Sequence, residues 1–111
     1  MTNSALPQCL LIVIAEIDAA VEVDWNRWYD EVHLPAALAC PGIISGSRYK
    51  SGSTLSLTDH GARDVSDTVA YATVYALSDP EAVNSPEFKE MAGWYDFTGR
   101  IKARTQVFQA L

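Results

Sequence analysis

The order of elements along this 111-residue chain predicts one α+β domain spanning residues 1–111, built as strand, helix, strand, strand, helix, strand. Three observations carry that prediction. QCLLIVIAEI (Gln8 to Ile17) is rich in β-branched residues and too short for a typical helix, so it reads as a strand apolar on both faces. DAAVEVDWNRWYDEVH, which follows, carries apolar or aromatic residues at 21, 25, 28, 29 and 32, a helical period. TVAYATVYAL (Thr68 to Leu77) alternates bulky Val69, Tyr71, Thr73, Tyr75 and Leu77 with small Ala70, Ala72, Val74 and Ala76, as a strand between two different layers does.

The remaining elements fill the gaps. Asp18 or Asp24 is placed to cap the first helix. Pro35 has no amide to bond back to the Glu31 carbonyl, so a kink or restart is expected there, with PAALA as one more short turn before Pro41-Gly42. IISGSRYK (Ile43 to Lys50) reads as the second strand, and the polar, glycine-bearing SGSTLSLTDHGARDVSD after it as a loop. SDPEAVNSPEFKEMAGWYDF holds two helix-start signals, Ser78/Asp79 before Pro80 and Ser85 before Pro86. A mostly alternating strand closes the chain from Ile101 to Leu111. Two interleaved right-handed crossovers of this kind give a ferredoxin-like βαββαβ domain, a four-stranded antiparallel sheet with both helices on one face. The bare face of its central strand then needs a cover, which a second copy supplies most simply.

Charge and composition close off several classes. Fourteen acids against eight bases leave a net charge of −6, and the bases form no continuous block, so nucleic acid is not an expected partner. The apolar run Cys9 to Ala15 is too short to cross a bilayer, lacks a basic flank and meets Glu16 at once, so neither a membrane span nor a signal peptide is expected. Cys9 and Cys40 have no CxxC spacing and read as buried free thiols of a reducing, cytoplasmic setting. HExxH, paired CxxC, phosphate-loop and GxSxG patterns are missing, so neither a metal nor a cofactor is expected.

The scarcest residue types gather in one stretch, WNRWYDEVHLPAALACPG (Trp25 to Gly42). His33 follows Tyr29 by four and Asp30 by three, so on an α-helix all three share a flank: a base, a candidate orienter and a candidate hydroxyl. The carboxylate and the helix dipole favour the protonated imidazole and burial opposes them, which leaves proton transfer near neutrality open to it. The alternative is a histidine that hydrogen-bonds loose carbonyls at the Pro35 break. Trp25, Trp28 and Tyr29 have two roles open to them, core packing or the wall of a pocket. Glu16 interrupts an apolar strand, at its solvated end or as a second acid-base group in a cleft. Tyr71 belongs to a strand face whose direction the alternation leaves open, Trp94 to the second helix as core or rim, and His60 to the polar loop.

The run W-x-x-WYDEVHLP-x-x-L-x-x-PG (Trp25 to Gly42), followed by a strand ending in Arg48-Tyr49, resembles the EthD-like branch of the dimeric α+β barrel superfamily, and SDPEAVNSPEF resembles that branch's second helix. The resemblance implies a homodimer with a site in each subunit between helices and sheet. It also implies chemistry like that of the superfamily's cofactor-free monooxygenases, polyketide cyclases and dehydratases, lactone isomerases or haem-binding enzymes. The haem-binding members and certain cyclases use a second-helix histidine, and SPEFKEMAGWYDF has none, so haem and that cyclase mechanism are not expected here.

Residues and resemblance together lead to the expectation of a small cofactor-free enzyme acting on an apolar, carbonyl-bearing, aromatic or polyketide-like molecule. Its step is isomerisation, cyclisation, dehydration or a lyase reaction. His33 moves the proton, Asp30 orients it, Tyr29 or a strand tyrosine holds the oxyanion, and Trp25, Trp28, Glu16, Tyr71 and Trp94 line the pocket. The alternatives are a cofactor-free monooxygenase or a noncatalytic binder of hydrophobic ligands. For assembly, light scattering is expected to give a mass near twice the 12.1 kDa of the chain; a dilute sample that stays folded and monomeric rules this out.

Overall fold

Cys9, Leu11, Val13 and Ala15 are buried along the first strand while Leu10, Ile12 and Ile14 are only half covered, so a run apolar on both sides has one sealed face and one open face. The computed structural model describes residues 6–53, 55–64 and 69–111. In chain order they form β1 (Cys9–Ile17), a short 3-10 turn, α1 (Glu22–Trp28), one π-helical turn (Tyr29–His33), α2 (Leu34–Leu38), β2 (Ile43–Lys50), β3 (Leu55–Thr58) and β4 (Gly61–Asp64). After these come β5 (Ala70–Leu77), α3 (Pro86–Met91) and β6 (Ile101–Gln109). The expected start of the third main strand at Thr68 lies outside the described residues. β2, β5, β1 and β6 make, in that order, an antiparallel four-stranded sheet. The helices pack on one face of it, in the ferredoxin-like α+β arrangement. No helix among the described residues is long and apolar enough to cross a membrane.

The helix-start signals act where the sequence puts them. The Asp18 carboxylate accepts from Ala20 N–H at 2.9 Å, Asp79 from Glu81 N–H at 2.8 Å, and the Ser85 hydroxyl from Phe88 N–H at 3.0 Å. Between α2 and β2 the chain turns at Gly42, whose φ is +84° and whose missing Cβ would sit 2.7 Å from the Ala82 Cβ.

The break expected at Pro35 falls one residue earlier: the Leu34 N–H reaches back five residues to the Tyr29 carbonyl, closing a π turn, and the α-helix restarts as α2 with Pro35 in its first turn, where a proline is tolerated. Two other expectations need correction. The polar loop contains a β3–β4 hairpin, tightened at Asp59-His60 by the Thr58 hydroxyl, which accepts from His60 N–H and donates to the Gly61 carbonyl. With most of its side chains exposed, that hairpin buries no apolar stripe and leaves no periodic trace in the sequence. The second helix is shorter than expected: α3 ends at Met91, and Gly93 (φ +124°) turns the chain toward Trp94.

The tyrosine face of β5 points at the helices. Tyr71, Thr73 and Tyr75 are buried, and the small Ala70, Ala72 and Val74 lie on the open face with Ile12, Ile14, Tyr49 and Phe108. Under the helices are two apolar clusters. Leu11, Val13, Ala37, Cys40, Ile43, Tyr75 and Leu77 lie in one, and Ala15, Trp25, Tyr29 and Tyr71 in the other. Trp25 and Tyr29 are the largest fully buried side chains, each 1% exposed, whereas Trp28 is half-buried. Trp25→Ala is therefore expected to cost about 3–5 kcal/mol and Trp28→Ala clearly less. Urea unfolding of the two variants measures the difference; equal losses would show that Trp25 is not the centre of that cluster.

Candidate functional site

Because the π turn holds more residues than an α turn, side chains four apart still meet there while those three apart diverge. Tyr29 and His33, four apart, both turn inward, with ring centroids 4.8 Å apart in an edge-to-face contact. They form one end of a cleft of about 270 Å³ between the helices and the sheet. Leu11 and Val13 of β1, Tyr75 of β5 and Thr105 to Val107 of β6 form its floor, with Phe88, Met91 and Trp94 opposite. The lining is chiefly apolar, with a few convergent polar groups, the usual composition of a small-molecule site.

The polar groups are His33, Tyr29 and Tyr75 at one end, with Thr105 and Gln106 on the β6 side. The Tyr29 and Tyr75 hydroxyl oxygens lie 3.4 Å apart. Gly46 on β2 makes room for this pair, since a Cβ there would meet the Tyr75 ring at 2.7 Å. Burial and the neighbouring Tyr29 push the Tyr75 phenol well above its ordinary range. His33 is 8% exposed and stacks on Trp28 at 4.5 Å with an interplanar angle of 19°. Among the described residues no hydrogen bond reaches its imidazole. Burial first, and then the Arg48 charge, lower its pKa from 6.5 to about 4, so at neutral pH it is an uncharged base facing an apolar cleft.

Of the residues expected to form the site, the structure brings His33, Tyr29 and Trp94 into the cleft and sends the others elsewhere. Asp30 does not orient His33: three residues away on a π turn, it points outward and accepts from Arg48 Nη1 at 2.7 Å. Trp25 is sealed among Tyr29, Tyr71 and Trp94 and does not line the cleft. Trp28 is a backing plate, with His33 stacked on it and Tyr95 and Phe97 packed against it. The Tyr71 hydroxyl is turned away, donating to the Glu22 carboxylate and accepting from Asn26 Nδ2. Glu16 is not in the cleft, since alternation along β1 places it on the open face with Ile12 and Ile14. His60 is exposed in the β3–β4 turn.

Sequence reasoning missed two residues as individuals. Tyr75 was one of several strand tyrosines on a face whose direction was open. Arg48 appeared only as part of a strand ending, yet it is an inward-facing cation that follows the small residues Ser45, Gly46 and Ser47. Its guanidinium lies 4.2 Å from the Tyr29 ring centroid and 5.0 Å from that of Trp25, and its Nη2 donates to Asn26 Oδ1 at 2.7 Å.

No protein-family model and no curated protein matches the sequence. Solved structures do. HapK from Hahella chejuensis is similar over 93% of this chain and 92% of its own, at 12% identity and a TM-score of 0.63. A variant of SnoaB from Streptomyces nogalater, a cofactor-independent oxygenase, is similar over 93% of each chain at 12% identity and a TM-score of 0.53. An EthD family protein from Bacillus halodurans is similar over 88% of this chain and 96% of its own, at 12% identity and a TM-score of 0.52. The likeness is one of fold: the chain shares with these proteins the ferredoxin-like α+β fold expected from WYDEVHLP and its surroundings.

The low pKa of His33 has a signed consequence. Between pH 6.5 and about 4 the unfolded chain binds a proton at this site that the folded chain refuses, so stability is full above pH 6.5 and falls as the pH drops through that window. His33→Phe, which keeps a ring against Trp28, is expected to flatten part of that fall in urea midpoints taken from pH 7 to pH 4. An imidazole titrating at pH 6 or above by NMR would show instead that the ring is hydrated.

Proposed function

We propose that this chain uses its dimeric α+β barrel fold for cofactor-independent chemistry that begins with a proton moving from an apolar carbonyl compound to His33. The observation that carries the reading is the pairing, at one end of an apolar cleft, of an uncharged imidazole with no hydrogen bond among the described residues and two phenolic hydroxyls 3.4 Å apart. A substrate methylene next to a carbonyl and an aromatic ring gives its proton to the free imidazole nitrogen. The electron pair left behind delocalises onto the carbonyl oxygen, where Tyr29 and Tyr75 donate hydrogen bonds to it. An imidazole desolvated by burial is a weak base alone, but the enolate formed beside it stabilises the imidazolium as the proton arrives.

For the fate of that carbanion, the likeness to SnoaB supports dioxygen. The carbanion carbon adds to dioxygen, the peroxide anion takes the proton back from His33, and the hydroperoxide loses water. The methylene and one dioxygen thus become a carbonyl and one water, with every electron supplied by the substrate. The same abstraction without oxygen is the isomerase, cyclase, dehydratase or lyase step expected from the sequence. A second copy covering Ile12, Ile14, Val74 and Phe108 would complete the barrel as a homodimer.

2-Tetralone, a ketone whose C1 methylene lies between the carbonyl and an aromatic ring, tests both stages. Anaerobic deuterium exchange at that methylene reads proton abstraction, and oxygen uptake with diketone formation reads the second stage. Both are expected with the wild type, and both should fall about a hundredfold or more in folded His33→Ala. Exchange without oxygen uptake would return the reading to a non-oxidative step. Saturable binding with neither would make the protein a ligand binder.

A further inference from the structure

Arg48 belongs to no part of the cleft lining, yet its environment is built around it. Its side chain is 11% exposed, and its guanidinium lies within 6 Å of three aromatic centroids: 5.0 Å from Trp25, 4.2 Å from Tyr29 and 5.6 Å from Tyr71. Nη1 donates to Asp30 Oδ1 at 2.7 Å and to the Asn26 carbonyl at 3.5 Å, and Nη2 donates to Asn26 Oδ1 at 2.7 Å. Nε is buried with no partner among the described residues. A desolvated cation with an unsatisfied donor is costly to keep, and a surface strand has no need of one.

The Tyr29 ring stands between this charge and the cleft, since Tyr29 lines the cleft and Arg48 stacks on it. The positive charge acts on both cleft groups, disfavouring a proton on His33 and favouring negative charge at Tyr75. The other charged or titratable groups nearby do not cancel it. Glu22 of α1 is bonded to Tyr71 and paired with Lys50 at 3.8 Å, Cys40 after α2 is held neutral by burial, and Asp30, the partner that offsets Arg48, has a side chain 62% exposed and screened by water.

We infer that Arg48 is a positioning residue for the cleft: stacked behind Tyr29 and clamped to the π turn by Asp30 and Asn26, it holds the Tyr29–Tyr75 hydroxyl pair in place and biases the cleft toward an anionic oxygen. The inference deepens the proposed function and rests on its view that the hydroxyl pair faces an oxyanion. Arg48 acts through Tyr29 and touches no substrate. In the low-dielectric space behind the ring its charge is felt more strongly than a surface charge would be.

The test uses binding, so it does not depend on turnover. 4-Nitrophenol is an apolar phenol whose neutral and ionised forms absorb at different wavelengths, and titrating it with protein across pH gives the ratio of phenolate to phenol affinity. Arg48→Gln is expected to lower that ratio about tenfold. Asp30→Asn, at an exposed position, is expected to raise it about two- to fivefold by unmasking the guanidinium, the smaller change reflecting screening of the outer charge. Opposite signs from two partners of one ion pair are what an electrostatic role produces, since loss of packing moves both the same way. A ratio unchanged or lowered in Asp30→Asn overturns the inference, and that variant decides alone if Arg48→Gln does not fold. No saturable binding by the wild type also overturns it. Opposite shifts without oxygen uptake or deuterium exchange would sink the enzymatic reading and leave this one standing. Turnover with an unmoved ratio would do the reverse.

Discussion

A proline at position 35 cannot return a hydrogen bond to the Glu31 carbonyl, and its ring needs space that an α-helical carbonyl fills. The chain accommodates it one turn earlier, where the Leu34 amide reaches the Tyr29 carbonyl and the helix widens for five residues. Everything in the candidate site follows from that widening. Residues 29 and 33 face the sheet together, residue 30 is turned out to Arg48, and Trp28 is left behind His33 as a plate. On an unbroken α-helix Asp30 and His33 would share a flank, and the imidazole would have a carboxylate beside it to favour its charged form. The π turn separates acid from base, and burial, aided by the Arg48 charge, keeps the imidazole neutral.

The second organising element is the row of aromatics under α1 and the π turn. Trp25, Tyr29 and Tyr71 bury a large apolar area and at the same time surround one guanidinium. Ring faces carry negative quadrupole density, so a cation among them loses less on leaving water than it would among aliphatic side chains. Packing and electrostatics are therefore served by the same residues. The end of the cleft that holds the hydroxyl pair is built from the core itself, with a charge enclosed beside it.

The sheet divides the labour between its faces. β5 turns its tyrosines toward the helices, where one hydroxyl meets Tyr29 in the cleft and another is taken up by Glu22 and Asn26. Its alanines face the open side, beside the half-covered isoleucines of β1. That leaves an apolar surface on the open side of the sheet, the kind of surface a contact with another molecule covers. A cleft on one side and an open apolar surface on the other follow from the sharp alternation of size that TVAYATVYAL displays.

What the sequence determined by itself was whatever depends on neighbours along the chain. Period and composition located the four main strands, Asp18, Asp79 and Ser85 located the helix starts, and the element order specified the antiparallel ferredoxin-like sheet. His33, Tyr29 and Trp94 were legible as candidates because rare residue types stood at helical spacing. Only the tertiary structure decided what depends on direction across space. An alternating strand has two faces, and nothing local says which one the helices cover, so Tyr71 and Tyr75, which share a face, could not be placed toward the helices, nor Glu16 on the open side. A π turn changes which side chains meet without changing composition, so the Asp30–His33 pairing read from α-helical spacing failed. The exposed β3–β4 hairpin buries no stripe that a period could reveal. Arg48 became visible only when folding brought a residue of β2 under the rings of α1, the π turn and β5, because its surroundings are made of side chains far from it in sequence.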